Sequence, residues 1–201
     1  MTEEEKMISG QIYNSLDDGL RQKRERASAL CRDYNSTADG KKREELLSNL
    51  LSYESKPVSL EGPIHFTYGS HTVFGAGCYA NFNFTVLDHA PVTVGNNVMF
   101  GPNCTLLTAL HPLLAEERIP HPGTDGQPCC TERAAPVTVG DRCWLAANVT
   151  VCPGVIVGAG AVIAAGSVVT SDIPENVLAA GVPCRVLRSL TEADRIENTW
   201  I

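Results

Sequence analysis

The stretch Val137-Thr138-Val139-Gly140-Asp141-Arg142-Cys143-Trp144-Leu145-Ala146-Ala147-Asn148-Val149-Thr150-Val151, continuing to Val169-Thr170, decides the fold. Val139, Leu145, Val151, Val157, Ile163 and Val169 are aliphatic and lie six residues apart. The residue after each is Gly140, Ala146, Cys152, Gly158, Ala164 or Thr170, all small. The residue four after each is Cys143, Val149, Val155, Ala161, Ser167 or Ile173. Six is neither a helical period nor plain strand alternation. Each hexad offers one large inward aliphatic, a small residue for a tight corner and a second small inward residue. Three hexads make a triangular coil, and stacked coils pair as parallel strands about 4.8 Å apart. The expected architecture is a parallel β-helix.

The same phase runs upstream through Tyr68-Gly69, Phe74-Gly75, Ala80-Asn81 and Val86-Leu87. It slips by two residues at Ala90-Pro91 and resumes at Val94-Gly95, Phe100-Gly101 and Leu106-Leu107. It is then lost until Val139, which predicts an extended loop over about 107–137. No charged residue occurs from Cys143 to Ser171, long enough to span a bilayer. A transmembrane helix, however, has no reason to place Gly or Ala every sixth residue. Cys78, Cys104 and Cys143 fall at the small inward position, where free cysteine packs as a small hydrophobe.

Outward from the repeat, residues 1–57 read as a charged helical segment. Leu16, Leu20, Leu30 and Tyr34 recur at helical spacing, with Asp17 or Asp18 as the cap. Asn35-Ser36-Thr37 breaks it. A second helix starts at Asp39, carries Leu46, Leu47, Leu50 and Leu51, and stops at Lys56-Pro57. The β-helix occupies 58–188, and 189–201 form a tail with a helix over Thr191 to Asn198.

The chain has 201 residues, enough for one domain with a real core. It is 43% hydrophobic and 19% charged, which excludes disorder for most of its length. Lys+Arg is 16 against Asp+Glu 23, for a net charge of −7, which argues against a nucleic-acid partner. Thr2-Glu3-Glu4-Glu5-Lys6 is acidic, not the basic start of an export signal. The eight cysteines show no Cys-x-x-Cys, and the adjacent Cys129-Cys130 reads as incidental. Reduced thiols, a cytoplasmic setting and no membrane association are the expectation.

Five histidines, His65, His71, His89, His111 and His121, are candidate general bases, and spacing alone does not choose among them. Their separations of 6, 18, 22 and 10 residues supply no close pair for a zinc triad, so no metal is expected.

The hexads specify only a fold. Tyr79-Ala80-Asn81-Phe82-Asn83, His111-Pro112 and Ala180-Gly181-Val182-Pro183-Cys184-Arg185 are more telling. With Met7-Ile8-Ser9-Gly10, Tyr13, Leu87-Asp88 and Cys143-Trp144-Leu145, they resemble the maltose and galactoside O-acetyltransferases, a branch of the hexapeptide-repeat acyltransferases. The resemblance covers nearly the whole chain. It implies a mainly β fold, a left-handed parallel β-helix with an N-terminal α-helical segment, assembled as a homotrimer with sites between neighbouring β-helices. It implies direct acetyl transfer from acetyl-CoA to a sugar hydroxyl, with no acyl-enzyme and no metal.

Residue by residue, His111 matches the family's general base, and Asn81 matches the residue that stabilises the transition state. Ser15, Asp17, Arg24, Thr67, Tyr79 and Asp88 lie at or near acceptor-site positions. Trp144, Ala147, Ala165, Thr170, Ser171, Arg185 and Arg188 lie at CoA-site positions, the two arginines near the phosphates. Taken singly, each has a plainer reading: a corner asparagine, a packed tryptophan, a surface arginine. Two departures bear on the acceptor. Carboxylates that the galactoside branch carries align here with Ser15 and His89, which leans toward a maltose-type or glucose-type acceptor. Ser171 replaces a family lysine. The insert from His111 to Pro136, which holds His121, Asp125 and Cys129-Cys130, is longer than the family's and should border the acceptor pocket. The alternatives are a non-sugar or xenobiotic hydroxyl acceptor, or a non-catalytic β-helix scaffold.

Overall fold

Each hexad supplies one short strand to one of three faces. The computed structural model describes residues 1–123 and 126–199. The first face stacks Thr72–Phe74, Val92–Val94, Val137–Val139 and Ile156–Val157 in parallel. The second stacks Ser59–Leu60, Tyr79–Ala80, Met99–Phe100, Trp144–Leu145, Val162–Ile163 and Val177–Gly181, and ends with the antiparallel strand Cys184–Ser189. The third stacks Ile64–Phe66, Phe84–Leu87, Thr105–Leu107, Thr150–Val151 and Val168–Val169. The result is the expected left-handed parallel β-helix of about six turns, with helices at its N-terminal end.

The register accounts for every irregularity in the period. Leu145 faces Ile163, 18 positions on. Phe74 faces Val94, 20 positions on, because the slip at Ala90-Pro91 adds two residues to that turn. Val94 faces Val139, 45 positions on, so 27 residues leave the coil at the corner between the third and first faces. One expectation changes. Ile173, read as the small inward position after Val169, instead bridges to Val157 in the aliphatic column of the first face. The last turn is shorter by two, and Ile163 faces Ala179 only 16 positions on.

The core is a column of Phe74, Phe84, Phe100, Leu106, Leu145, Val151, Val157 and Ile163, all essentially inaccessible to solvent. Corners are tight. A Cβ on Gly140 would sit 2.6 Å from the Ala159 nitrogen. Asn83, Asn103 and Asn148 turn other corners at φ near 60° and join in a side-chain ladder at 2.9 and 3.0 Å. Asparagine tolerates this left-handed backbone better than most residues with a Cβ.

The N-terminal end of the column needs a cover, since its last apolar layer has no further coil to meet. Helix α1 (Glu3–Ile8) starts with a Thr2/Glu5 capping box. Helix α2 (Asp18–Ser36) is capped by Asp17, whose carboxylate accepts from the Leu20 N–H. It buries Leu20, Ala27, Cys31 and Tyr34, while Leu16 lies before the helix and is exposed. Helix α3 (Gly40–Leu50), capped by Asp39, lays Leu46, Leu47 and Leu50 on the core. It ends at Leu50, earlier than the Lys56-Pro57 stop, because Ser52, Ser55 and Lys56 already bond to the coil beside Thr72 and Phe74. Tyr34 donates to the Leu60 carbonyl, and the Asn35 side chain bonds both the N–H and the C=O of Ile64. The C-terminal expectation resolves into a 3-10 turn, Glu192–Asp194, and a short helix, Ile196–Thr199.

Candidate active site

The excursion carries strands of its own. Its strands Ala109–Leu110 and Thr131–Ala134 pair antiparallel, and a third strand from the N-terminus, Tyr13–Asn14, pairs with the far side of Thr131–Ala134. His111 follows the first strand directly. It opens into a cavity of about 580 Å³ lined also by Ile12, Pro112, Glu116, Glu117, His121, Glu132 and Arg133. His111 Nδ1 lies 3.8 Å from Glu132 Oε1. The Tyr13 hydroxyl donates to Glu132 Oε2 at 2.7 Å. Burial and the adjacent Glu132 push the Tyr13 phenol far up, so it stays a donor. With Nδ1 nearest the carboxylate, Nε2 has no hydrogen-bond partner among the described residues.

Behind this sheet sits a second apolar cluster of Met7, Tyr13, Leu20, Tyr68, Ala90 and Ala134. Arg24 crosses it, donating to the Tyr68 hydroxyl and to the Ser15 carbonyl, each at 2.9 Å. Ser15 is buried and donates to the Cys130 carbonyl. Asp88 is fully buried. Its carboxylate accepts from the Tyr68 N–H at 2.8 Å and the Thr72 hydroxyl at 3.0 Å, and burial raises its pKa. His71 Nδ1 is 2.8 Å from the Asp88 carbonyl, and its Nε2 faces Glu4. His89 packs edge-on against Tyr68, with burial depressing its pKa and Nδ1 unpartnered among the described residues.

The remaining candidates sort by corner. Ala80, Phe100, Leu145 and Ile163 stand in register, so Asn81 shares the corner after the second face with Ala146-Ala147 and Ala164-Ala165. The Asn81 side-chain oxygen Oδ1 accepts from the Phe82 N–H at 2.8 Å, which leaves the side-chain nitrogen as the group's donor. A Cβ on Gly101, at the same corner, would strike the Ala147 backbone at 2.6 Å. Trp144 stands on the adjoining face, half exposed, in line with Met99. Arg185 and Arg188 lie on the strand that closes that face. Arg188 is held by Asp194 at 2.6 and 2.8 Å. By contrast, Val86, Leu106, Val151 and Val169 are in register on the third face, so Asp88, the His111 excursion, Thr170 and Ser171 share a different corner.

One chain therefore does not bring all the candidates together. His111, Ser15, Arg24 and Asp88 gather near the excursion, with Thr67 following the strand Ile64–Phe66 of the same face. Asn81, Trp144, Ala147 and Ala165 gather at another corner. Tyr79 borders a separate groove of about 830 Å³ between α3 and the first coil. Asp17 serves α2 as its cap. Asp125 of the insert lies outside the described residues. Glu132 escapes sequence reasoning. It carries no motif, and only the strand pairing turns it inward toward Tyr13.

Comparison with known proteins bears on the fold and the family. Residues 6–52, the segment covering the N-terminal end of the β-helix, match the maltose acetyltransferase hexapeptide capping motif. Residues 136–171 match the bacterial transferase hexapeptide, six repeats. The chain is 37% identical to the galactoside O-acetyltransferase of Escherichia coli K12 over 95% of its length and 91% of that protein. Its fold superposes on a maltose O-acetyltransferase from Clostridium difficile 630 with a TM-score of 0.87, at 38% identity over 96% of this chain and 99% of the other. It superposes on a galactoside acetyltransferase in complex with coenzyme A at 0.84, with 37% identity over 96% and 94%. A hexapeptide-repeat β-helix with an N-terminal cap is the class these features define. Within it, the chain belongs to the maltose/galactoside O-acetyltransferase family.

Proposed function

We propose that the protein is an acetyl-CoA-dependent O-acetyltransferase that moves an acetyl group to a sugar hydroxyl, with a maltose-type or glucose-type acceptor. The observation that carries this reading is His111, set over a buried carboxylate at the mouth of a cavity. A sugar hydroxyl ionises far above neutral pH and needs a base as it attacks. His111 Nε2 takes the hydroxyl proton while the oxygen attacks the thioester carbonyl carbon. Glu132 stabilises the imidazolium that forms. The side-chain nitrogen of Asn81 donates to the developing oxyanion. Collapse breaks the C–S bond, and the leaving thiolate takes the proton back from His111. Chemistry needs no metal, and acetyl-CoA is a co-substrate.

The pantetheine arm fits the corner of small residues. Ala147 and Ala165 leave backbone open for a thin chain to lie against, and Trp144 offers a flat apolar wall. Arg185 and Arg188 meet the phosphates with bidentate donors, on a protein whose net charge is −7. Thr170 and Ser171 touch the same arm from another copy of the chain. The two half-sites lie on different corners of one prism, which supports a homotrimer in which His111 of one copy faces Asn81 of the next. Ser15, Arg24 and Thr67 bound the acceptor from the copy that supplies His111, and Tyr79 does so from the copy that supplies Asn81. Asp17 and Asp88 serve it through the elements they fix. Among the described residues no helix is long and apolar enough to cross a membrane. Eight unpaired cysteines support a cytoplasmic setting, and the net charge of −7 argues against nucleic-acid partners.

The test is thiol release from acetyl-CoA over a panel of maltose, glucose, a β-galactoside and an amino sugar, with His111→Ala alongside. Sugar-dependent release by wild type, lost by about 10²–10⁴ in the variant with CoA affinity unchanged, is expected. CoA binding without release on any sugar would move the acceptor outside carbohydrates. No CoA binding at all would leave a scaffold.

A further inference from the structure

Tyr13 and Glu132 lie 119 positions apart, yet they are directly opposed across an antiparallel pair. Opposed residues in such a pair project from the same face of the sheet. The strand carrying Glu132 pairs on its other edge with Ala109–Leu110, which delivers His111. The sheet thus has the N-terminal segment at one edge, His111 at the other, and Glu132 between them.

A carboxylate has two oxygens, and here each has a separate task. Oε2 receives the Tyr13 hydroxyl at 2.7 Å, and Oε1 faces His111 at 3.8 Å. The terminal torsion of a glutamate is broad and two-fold, so an untied carboxylate in this place turns freely. The Tyr13 side chain is buried among Met7, Leu20, Tyr68, Ala90 and Ala134, which fixes the hydroxyl in turn. The other charged or titratable groups facing Tyr13 are Tyr68 and Arg24, and Arg24 is already committed to Tyr68 and Ser15.

We infer that Tyr13 is a positioning residue for the reaction, orienting the imidazole of His111 through Glu132. The inference rests on the assignment of His111 as the base. It also gives the N-terminal strand a second task beyond covering the core: to set the base.

Tyr13→Phe keeps the ring and removes only the hydroxyl. It should lower kcat about tenfold, the worth of one buried hydrogen bond realised at the reacting geometry, with KM for both substrates within about twofold. A purely structural tie would lower thermal stability and leave kcat alone. In a Glu132→Gln background the same change should add no further loss, since the path through the carboxylate is already cut. The imidazole N–H signal of His111, read by NMR at low temperature where each variant is folded, should shift in Tyr13→Phe. Unchanged kcat in Tyr13→Phe, an equal loss in both backgrounds, or an unmoved His111 signal would each overturn the inference. Full turnover by His111→Ala would instead overturn the base assignment, which keeps the two failures separate.

Discussion

His111 Nδ1 stands 3.8 Å from Glu132 Oε1, the imidazole half open to the cavity and the carboxylate 89% withdrawn from solvent, since its side chain is 11% exposed. That separation is longer than a hydrogen bond, as is common before substrate arrives. Glu132→Gln keeps the shape and removes the charge that stabilises an imidazolium. It should lower kcat by about 10–10² with CoA affinity unchanged. Equal kcat in stopped-time assays of both proteins would reduce Glu132 to a packing residue.

Asp88 gives a prediction with a definite sign. Burial raises its carboxyl above the ordinary 3.8 in the folded state. Its favourable contribution is therefore complete below about pH 4 and is lost as pH rises through the folded pKa. Asp88→Asn has no such loss. Melting curves of the two proteins between pH 4 and 8 should diverge, with the variant gaining relative to wild type as pH rises. Parallel curves would show that the carboxyl ionises normally. Asp88→Ala should cost about 1–3 kcal/mol at any pH, because it strands the Tyr68 N–H and the Thr72 hydroxyl.

The corner glycines make a paired test. A Cβ on Gly158 would lie 2.5 Å from the Glu175 nitrogen and 2.7 Å from the Pro174 carbonyl carbon, both backbone atoms of the next turn. Gly158→Ala should destabilise by about 2 kcal/mol or more, since neither coil can yield alone. Gly40→Ala, at the first position of α3 with nothing within 4 Å, should be neutral or stabilising by about 0.5–1 kcal/mol. Denaturant titration separates them, and equal effects would refute the close-packed corner.

Arg188 is held by Asp194 through two nitrogens at 2.6 and 2.8 Å. If Arg188 meets a CoA phosphate, Asp194 competes with that phosphate. An exposed pair of this kind is weak and screened by solvent, so its competition with the phosphate is slight. Asp194→Asn should therefore tighten CoA binding by about twofold to fivefold, while Arg188→Ala weakens it. Calorimetric titration with CoA reads both directly. Unchanged affinity in both variants would remove Arg188 from the phosphate site.

Much of this was legible in the chain. Val139 to Val169 announced the coil because a triangular turn repeats every six residues and nothing else common does. Asp39 announced α3, and Asp17 α2. Ile173 misled because a hexad count has no means to register a turn shortened by two, whereas the Val157–Ile173 bridge does. Leu16 misleads because it precedes the helix and is exposed, while Ala27 and Cys31 complete the buried face with Leu20 and Tyr34.

The sequence by itself determined the β-helix, its three faces and the corner of small residues, because each follows from a repeat within a few residues. Among the five histidines and the corner asparagines it made no choice by itself; the family resemblance of the motifs around them pointed to His111 and Asn81. Tertiary structure alone decided what stands beside them. Glu132 becomes the partner of His111 because two strands from distant parts of the chain, Tyr13–Asn14 and Ala109–Leu110, flank Thr131–Ala134. The parity of that pairing turns Glu132 inward, and side-chain parity in a strand without a repeat is fixed only by its neighbours. The division of the candidate residues between two corners likewise depends on register between coils.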